Sequence, residues 1–177
     1  ALSGFRLAAE TPSPSFLALH PNGKFLYAVN ETDNYGGKAT GAVTAYRIAN
    51  AEGGVLEKLN TVSSHGAHPC HLVLTPKADA VIIANYTGST VAVIAIKADG
   101  SLGETLNKIV HKGSSVLKPR QASPHPHAVN LDPANKFVFI SDLGMDQIVR
   151  YELEEGGRLS ERRGATRIDP GAGPRHF

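Results

Sequence analysis

The sequence predicts an all-β fold, a β-propeller built from four-stranded antiparallel blades, and three observations lead to it. The first is an internal repeat, P-x-x-apolar-x-Leu-x-P, at residues 14–21, 69–76 and 126–133, with starts 55 and 57 residues apart. The second is the content of each unit, about four short segments rich in Val, Ile, Leu, Tyr and Phe with Gly-containing turns between them. The third is that nothing reads as a long amphipathic helix. A period of roughly 50 residues with about four strands is typical of a propeller blade.

Landmarks recur inside each unit at fixed distances from its prolines. Nine residues after each closing proline, a polar residue ends the second apolar segment: Asn30, Asn85 and Asp142. A third segment follows, and a Gly-rich turn then precedes an aligned leucine: Leu56, Leu102 and Leu159. We therefore divide the chain into the end of a preceding blade, three blades and the start of the next blade: residues 1–13, then 14–68, 69–125 and 126–173, then 174–177.

Three blades alone leave two broad apolar flanks without a neighbour. Propeller blades bury their faces against each other, and the closed ring leaves no open flank. We therefore expect about three blades of a ring of seven, and the remaining blades of the same propeller as partners of this chain. Residue 1 is Ala rather than Met, so the sequence leaves the natural N-terminus open.

Composition excludes several classes of function. The net charge of +2 and the absence of Trp argue against a nucleic-acid or membrane surface. The single cysteine cannot form an intramolecular disulfide, and neither a signal peptide nor an apolar run long enough to span a membrane is visible. These features predict a cytoplasmic protein. No phosphate-binding loop, dinucleotide fingerprint or serine-nucleophile motif is present, and we expect no cofactor.

Titratable side chains concentrate at one face of the predicted disc. The first strand of a blade lines the central channel, and its start lies on the same face as the end of the second strand. Six of the eight histidines fall at or near these junctions. A purely structural ring gives no reason for such a concentration. The residues expected on this rim are Ser15, Phe16, Asn30, His68, Cys70, His71, Asn85, His125, His127, Asp142, Arg175 and His176.

Several strings carry a resemblance to a known family. NETDNYGG, HPCHLVLTP, ANYTGSTVAV, RQ followed by HPHAVNLDP, FISDLGMDQI and GAGPRHF together resemble the lactonase family of seven-bladed propellers over essentially the whole chain. Its best-known member is a 6-phosphogluconolactonase, and the carboxy-muconate lactonising enzymes are similar. The resemblance implies hydrolysis of 6-phospho-D-glucono-1,5-lactone in the pentose phosphate pathway, with a sugar lactone phosphate as partner.

The resemblance also implies site residues. Three positions match motif residues that border the family's central cleft and are the expected catalytic residues: His127, Arg175 and His176. The expected substrate-binding residues are Arg120, Gln121, His125, Asp142, His71 and Asn85. This sequence departs from the family's pattern at one point. In the family, the next blade supplies an acidic residue after an Asn near the cleft. Here Asn30-Glu31 has that pattern, but in another blade.

The expected chemistry is simple. Lactone hydrolysis needs a base to activate water, a donor or cation for the developing oxyanion, and a cation for the phosphate. Imidazole titrates near neutral pH, which favours His127 as the base. Arg175 suits the oxyanion or the product carboxylate, and Arg120 suits the phosphate as a bidentate donor.

Each assignment has a structural alternative. His125 and His127 are also placed to hydrogen-bond the backbone of neighbouring blades, and His71 aligns with Phe16 and Ala128 as a packed residue. Polar residues such as Asn30, Asn85 and Asp142 commonly cap strand ends. The group of Lys108, Lys112 and Lys118 is typical of a solvated loop.

The histidine- and cysteine-containing segment gives two weaker functional hypotheses, a metal site and a cysteine nucleophile. His65, His68, Cys70 and His71 have the side chains that zinc or copper prefers, but strand alternation sends Cys70 and His71 to opposite sides, so we expect no metal site. Nothing marks Cys70 as an activated nucleophile. Two other functions stay open: a lactonising or lactone-opening enzyme on another carboxylated lactone, and a propeller that binds a protein or carbohydrate without catalysis.

Overall fold

Three four-stranded antiparallel sheets follow one another along the chain in a computed structural model, which describes residues 6–160 and 164–177. The first sheet holds β1 (Leu17–Leu19), β2 (Phe25–Asn30), β3 (Ala42–Asn50) and β4 (Val55–Ser63). The second holds β5 (Pro69–Leu74), β6 (Ala80–Asn85), β7 (Thr90–Ile96) and β8 (Leu102–Val110). The third holds β9 (Pro126–Leu131), β10 (Phe137–Asp142), β11 (Gln147–Glu152) and β12 (Gly164–Arg167). The helical elements are short: α1 (Lys118–Gln121) and two 3₁₀ turns, Leu143–Met145 and Glu155–Gly157.

The first hairpin of each blade turns in the same way. The second residue after each closing proline has a positive φ: Gly23 at 70°, Ala78 at 53° and Asn135 at 56°. Gly and Asn tolerate this left-handed conformation, which lets a short turn reverse the chain. In the third blade, Asp132 fixes the turn by accepting backbone hydrogen bonds from Ala134, Lys136 and Phe137. The opening proline of each repeat therefore precedes a hairpin, and its closing proline begins the turn.

The core lies between neighbouring blades. One apolar cluster joins the first and second blades, and another joins the second and third. All six residues of β6 are buried, because this strand has a blade on each side. Its sequence, AVIIAN, accordingly lacks the polar alternation of a half-exposed strand. On β1, Leu17 and Leu19 are exposed.

The predicted all-β propeller blades are confirmed by these sheets, and each sheet falls inside one of the three predicted units. Asn30, Asn85 and Asp142 end the second strand of their blades, as the repeat predicts. Residues 1–5, part of the predicted closing strand of a preceding blade, lie outside the described residues, and residues 6–13 form no strand. Within the described chain, no helix is long and apolar enough to cross a membrane.

The first strands of successive blades lie next to each other. β5 contacts both β1 and β9. The residues that precede and open these strands therefore gather at one face, where the C-terminal residues 174–177 also lie against the third blade. This is the face on which the sequence places the histidines.

Candidate active site

The centre of this face is a hydrogen bond between an arginine and a histidine that are 48 residues apart. Arg175 Nε donates to His127 Nε2 at 2.7 Å. His127 is the second residue of β9 and is buried, whereas Arg175 is exposed. Since arginine only donates, the accepting Nε2 carries a lone pair and the proton of the neutral imidazole sits on Nδ1. That Nδ1 is buried and has no hydrogen-bond partner among the described residues. An unpaired buried polar atom is costly and calls for an explanation beyond packing.

Two more imidazoles surround this pair. The His176 ring meets the His127 ring edge-on, with centroids 4.9 Å apart, and its centroid lies 6.1 Å from that of His71. His71 packs on Phe16 at 3.9 Å, and its Nδ1 accepts a hydrogen bond from Val129 N at 3.3 Å. The backbone thereby places the His71 proton on Nε2, where it is available for donation.

Tyr86 and His125 form an aromatic wall beside His127. Their rings stack with centroids 4.3 Å apart, and Tyr86 also meets the His127 ring edge-on at 5.7 Å. The Nδ1–H group of His125 donates to the carbonyl oxygen of Tyr86 at 2.9 Å, which leaves Nε2 of His125 as an acceptor. We call these six residues the rim cluster: His71, Tyr86, His125, His127, Arg175 and His176.

The environment keeps two of these imidazoles neutral. Burial lowers the pKa of His127 to about 4, with further contributions from the positive charge of Arg175 and from His176 and His71. Burial, followed by His176, lowers the pKa of His71 to about 4. Both side chains are therefore uncharged at neutral pH, and each keeps one nitrogen able to accept and one able to donate.

Asp142 and Asn85 lie behind the rim cluster rather than in it. Asp142 is fully buried and accepts hydrogen bonds from His125 N at 2.8 Å and from His111 Nδ1 at 2.6 Å. His111 Nε2 in turn lies 2.8 Å from the Tyr151 hydroxyl. Asn85 donates to Ser64 O, and Asn30 donates to Pro12 O. In all three blades the side chain at this position therefore hydrogen-bonds the segment that leads into the first strand. This is the structural alternative in which Asn30, Asn85 and Asp142 cap strand ends.

The structure brings Gln121 and Arg120 to different environments. Gln121 is buried and hydrogen-bonds Leu143 O, Leu117 N and the Asp146 carboxylate. Arg120, on α1, is exposed, and within the described chain its side chain makes no hydrogen bond. Their substrate-binding roles, like those of Asn85 and Asp142, stay predictions.

The cysteine–histidine constellation separates in space. His65 Nε2 pairs with Thr105 Oγ1, His68 Nδ1 pairs with Thr87 Oγ1, and the Cys70 sulfur lies 3.4 Å from the His127 carbonyl oxygen. Burial raises the pKa of the Cys70 thiol to about 12, and the negative charge of Glu31 adds to this effect. A thiol held protonated is a poor nucleophile. Among residues 6–160 and 164–177, no group of three His, Cys, Asp or Glu is placed to hold a metal ion.

Three residues near the site were missed from the sequence. His111 supports Asp142, Tyr86 forms the aromatic wall, and Asp146 holds Gln121. Tyr86 directly follows Asn85, and a residue that follows the end of a second strand is placed beside the rim. That position was the available signal for Tyr86.

Comparison with known proteins places these features in a family. The sequence profile of the lactonase family, 7-bladed β-propellers, matches residues 1–177. A 6-phosphogluconolactonase of Bacillus subtilis is 34% identical over 177 residues, which are 100% of this chain and 48% of that protein. A 6-phosphogluconolactonase of Formosa agariphila is 30% identical over 92% of this chain and 46% of its own length.

A solved structure agrees with the sequence relatives. The periplasmic gluconolactonase of Pseudomonas aeruginosa superimposes with a TM-score of 0.84 at 33% identity, over 95% of this chain and 48% of that one. The chain thus spans about half the length of the relatives that it matches. With the profile matched from the first residue to the last, the chain belongs to the lactonase family of seven-bladed β-propellers.

Proposed function

We propose that the protein containing this chain hydrolyses 6-phospho-D-glucono-1,5-lactone to 6-phosphogluconate, a step of the pentose phosphate pathway, at the rim cluster. The observation that carries the proposal is the Arg175–His127 hydrogen bond, which joins a cation to a neutral imidazole on the channel face. The names of the Bacillus subtilis and Formosa agariphila relatives supply the substrate. Hydrolysis consumes only water, so the reaction asks for no cofactor.

Arg175 supplies the positive charge. Its Nε is held by His127, and its exposed guanidinium makes no other hydrogen bond among the described residues. The remaining N–H groups are therefore free to bind an anionic oxygen in a bidentate manner. That oxygen belongs to the oxyanion formed when water attacks the lactone carbonyl, or to the carboxylate of the product.

His127 acts as the base once the substrate has engaged Arg175. In the free site, the His127 Nε2 lone pair is occupied by Arg175, and the pKa of about 4 makes the imidazole a weak base. A lactone carbonyl oxygen that accepts hydrogen bonds from Arg175 draws the guanidinium away from His127, frees Nε2, and moves one of the positive charges that lower the pKa of His127 away from the ring. His127 then accepts the proton of the attacking water and returns it to the ring oxygen as the carbon–oxygen bond breaks.

The other members of the rim cluster orient the lactone. His71 presents an Nε2–H donor, and His125 presents an Nε2 acceptor, each fixed by a backbone partner. His176 completes the wall beside His127 as the third catalytic residue of the proposal. Arg120, exposed on α1, is proposed for the phosphate, with Gln121, Asn85 and Asp142 supporting the site from behind.

A specific observation favours a second candidate substrate, a sugar lactone without phosphate. Arg175 is the one cation that the described residues place in hydrogen-bond contact with the rim cluster. The Pseudomonas aeruginosa neighbour bears the name gluconolactonase. That neighbour is also named periplasmic, whereas we propose a cytoplasmic location together with the phosphorylated substrate.

One experiment separates the two substrates. The protein, expressed at its natural length, is assayed with 6-phosphogluconolactone and with glucono-1,5-lactone at about pH 6.5, and the spontaneous rate is subtracted. A kcat/KM at least tenfold higher for the phosphorylated lactone supports the proposal. A preference for the unphosphorylated lactone selects the second candidate. No acceleration of either, by a folded protein, refutes both.

A further inference from the structure

The segment that carries Arg175 is tied to the third blade through one buried carboxylate. Asp146 lies in the turn between β10 and β11, is 3% exposed and has a left-handed backbone with φ of 51°. Its Oδ1 accepts from Gln121 Nε2 and from Gly173 N, both at 2.7 Å. Its Oδ2 accepts from Ser115 Oγ at 2.5 Å and from Gly171 N at 2.7 Å. Four donors from two distant segments therefore converge on one side chain.

These two segments have no strand pairing of their own. Ser115 and Gln121 belong to the connection between the second and third blades, and Gly171 and Gly173 belong to the stretch that leads to residue 175. Both glycines have positive φ, 86° and 57°, so this stretch has a shape that its sequence permits but does not enforce. The carbonyl oxygen of Asp146 also accepts from Ile168 N at 2.8 Å. Asp146 thus fixes the stretch at both of its ends.

The chemistry of the donors requires a carboxylate here. An ionised Asp accepts through both oxygens, whereas Asn offers one acceptor and one donor. An Asn would turn its NH₂ group toward either Gly173 N and Gln121 Nε2 or Ser115 Oγ and Gly171 N. Burial alone raises the pKa of Asp146, but the hydrogen bonds from Ser115, Gly171, Gly173 and Gln121 together outweigh it and leave the pKa below its usual value.

We propose that Asp146 is a positioning residue that holds Arg175 and His176 against His127, by fixing the backbone of residues 171–173. Only one residue, Pro174, separates this fixed stretch from Arg175, whose Nε donates to His127 Nε2. Asp146 itself touches no member of the rim cluster by hydrogen bond among the described residues. The inference rests on the proposed function for its effect on catalysis, but its structural content does not depend on which lactone is hydrolysed.

The test compares two aspartates of the same blade. Asp146→Ala removes the acceptor of the Arg175 segment. Asp132→Ala is the matched control, since Asp132 accepts three backbone hydrogen bonds in the β9–β10 turn at the opposite end of these strands. In the protein at its natural length, the titration of His127 is followed by NMR, and kcat/KM is measured on the preferred lactone. Arg175→Ala provides the reference for a lost contact.

The expected result is specific to the site. Asp146→Ala moves the titration midpoint of His127 upward, from about 4 toward the ordinary imidazole value of about 6.5, in the direction that Arg175→Ala also produces. It lowers kcat/KM on the order of 10- to 100-fold, because displaced groups lose their alignment with the substrate. Asp132→Ala lowers the free energy of unfolding but leaves the His127 midpoint and kcat/KM near those of the unchanged protein.

An unchanged His127 midpoint in a folded Asp146→Ala protein overturns the proposal, and so does an equal shift in Asp132→Ala. If Asp146→Ala does not fold, Asp146→Asn is subject to the same criterion, with a smaller shift expected. The titration needs no substrate. A protein that hydrolyses no lactone therefore refutes the proposed function while the NMR result still decides the role of Asp146.

Discussion

Replacing Asp142 by Ala removes one buried acceptor that three donors share. His125 N, His111 Nδ1 and Met145 N donate to this carboxylate at 2.8, 2.6 and 3.2 Å. A buried donor left without a partner costs about 1–3 kcal/mol, and Asp142→Ala takes the acceptor away from both His125 N and His111 Nδ1. The Met145 bond is long and adds little. We therefore expect Asp142→Ala to lower the free energy of unfolding by about 3–5 kcal/mol.

Asp142→Asn is the matched comparison, because Asn occupies the equivalent position in the other two blades, at Asn30 and Asn85. Its amide oxygen keeps the bond to His125 N. Its NH₂ group donates to His111 Nδ1 once the His111 proton moves to Nε2, where the Tyr151 hydroxyl can accept it. We expect a loss of only about 1 kcal/mol.

Equilibrium unfolding in urea at neutral pH measures both variants, with the slope against urea concentration as a check that the same surface is exposed. Asp142→Ala should lose at least about 2 kcal/mol more than Asp142→Asn, the difference between the two expected losses. Equal losses, or a loss below about 1 kcal/mol for Asp142→Ala, refute the view that this position organises the entry to β9.

Two further predictions concern pH and packing. Between about pH 6.5 and 4, the unfolded chain binds more protons at His71 and His127 than the folded chain, because burial holds both pKa values near 4. Stability should therefore fall as the pH is lowered through this range, by at most about 3 kcal/mol per histidine. Urea unfolding at several pH values measures this fall, and a flat profile contradicts it. A Cβ on Gly144 would overlap Ser123 O and crowd His125 N, so Gly144→Ala should cost about 1–3 kcal/mol and reduce activity. Gly103→Ala, whose Cβ meets its nearest neighbour at 3.4 Å, is the control, and equal losses in the two variants argue against this account.

The propeller blades were predictable because the repeat places the same kinds of residue at the same strand ends and turns in three successive blades. Each opening proline lies at the start of a first strand or three residues before it, each closing proline begins a turn, and Asn30, Asn85 or Asp142 ends the second strand. This geometry was enough to place His127 on the channel face. The pairing of His127 with Arg175 was not a matter of periodicity; the motifs of the family resemblance placed both residues at the cleft.

The supporting residues could not be predicted in the same way. His111 follows the outer strand of the neighbouring blade, β8, and its side chain hydrogen-bonds Asp142. The loop that begins at His111 follows no periodic pattern, so this contact could not be predicted. Gln121 was expected at the site because RQ is one of the motifs that carry the family resemblance, and the sequence did not show that its amide is buried and hydrogen-bonds Leu143 and Asp146. Asp146 and Ser89 occupy the same repeat position and share a left-handed backbone, but that conformation is a property of the structure and is not visible in the sequence.

The central proposal is that His127 and Arg175 act together in lactone hydrolysis. The direct measurement is the rate of the His127→Ala, Arg175→Ala double variant on the preferred lactone, beside each single variant, in the protein at its natural length. Because the two side chains work as one unit, we expect the double variant to lose hardly more than the more damaging single variant, and each single loss to be on the order of 100-fold or more. A folded double variant that hydrolyses the lactone at the rate of the unchanged protein would contradict the central claim.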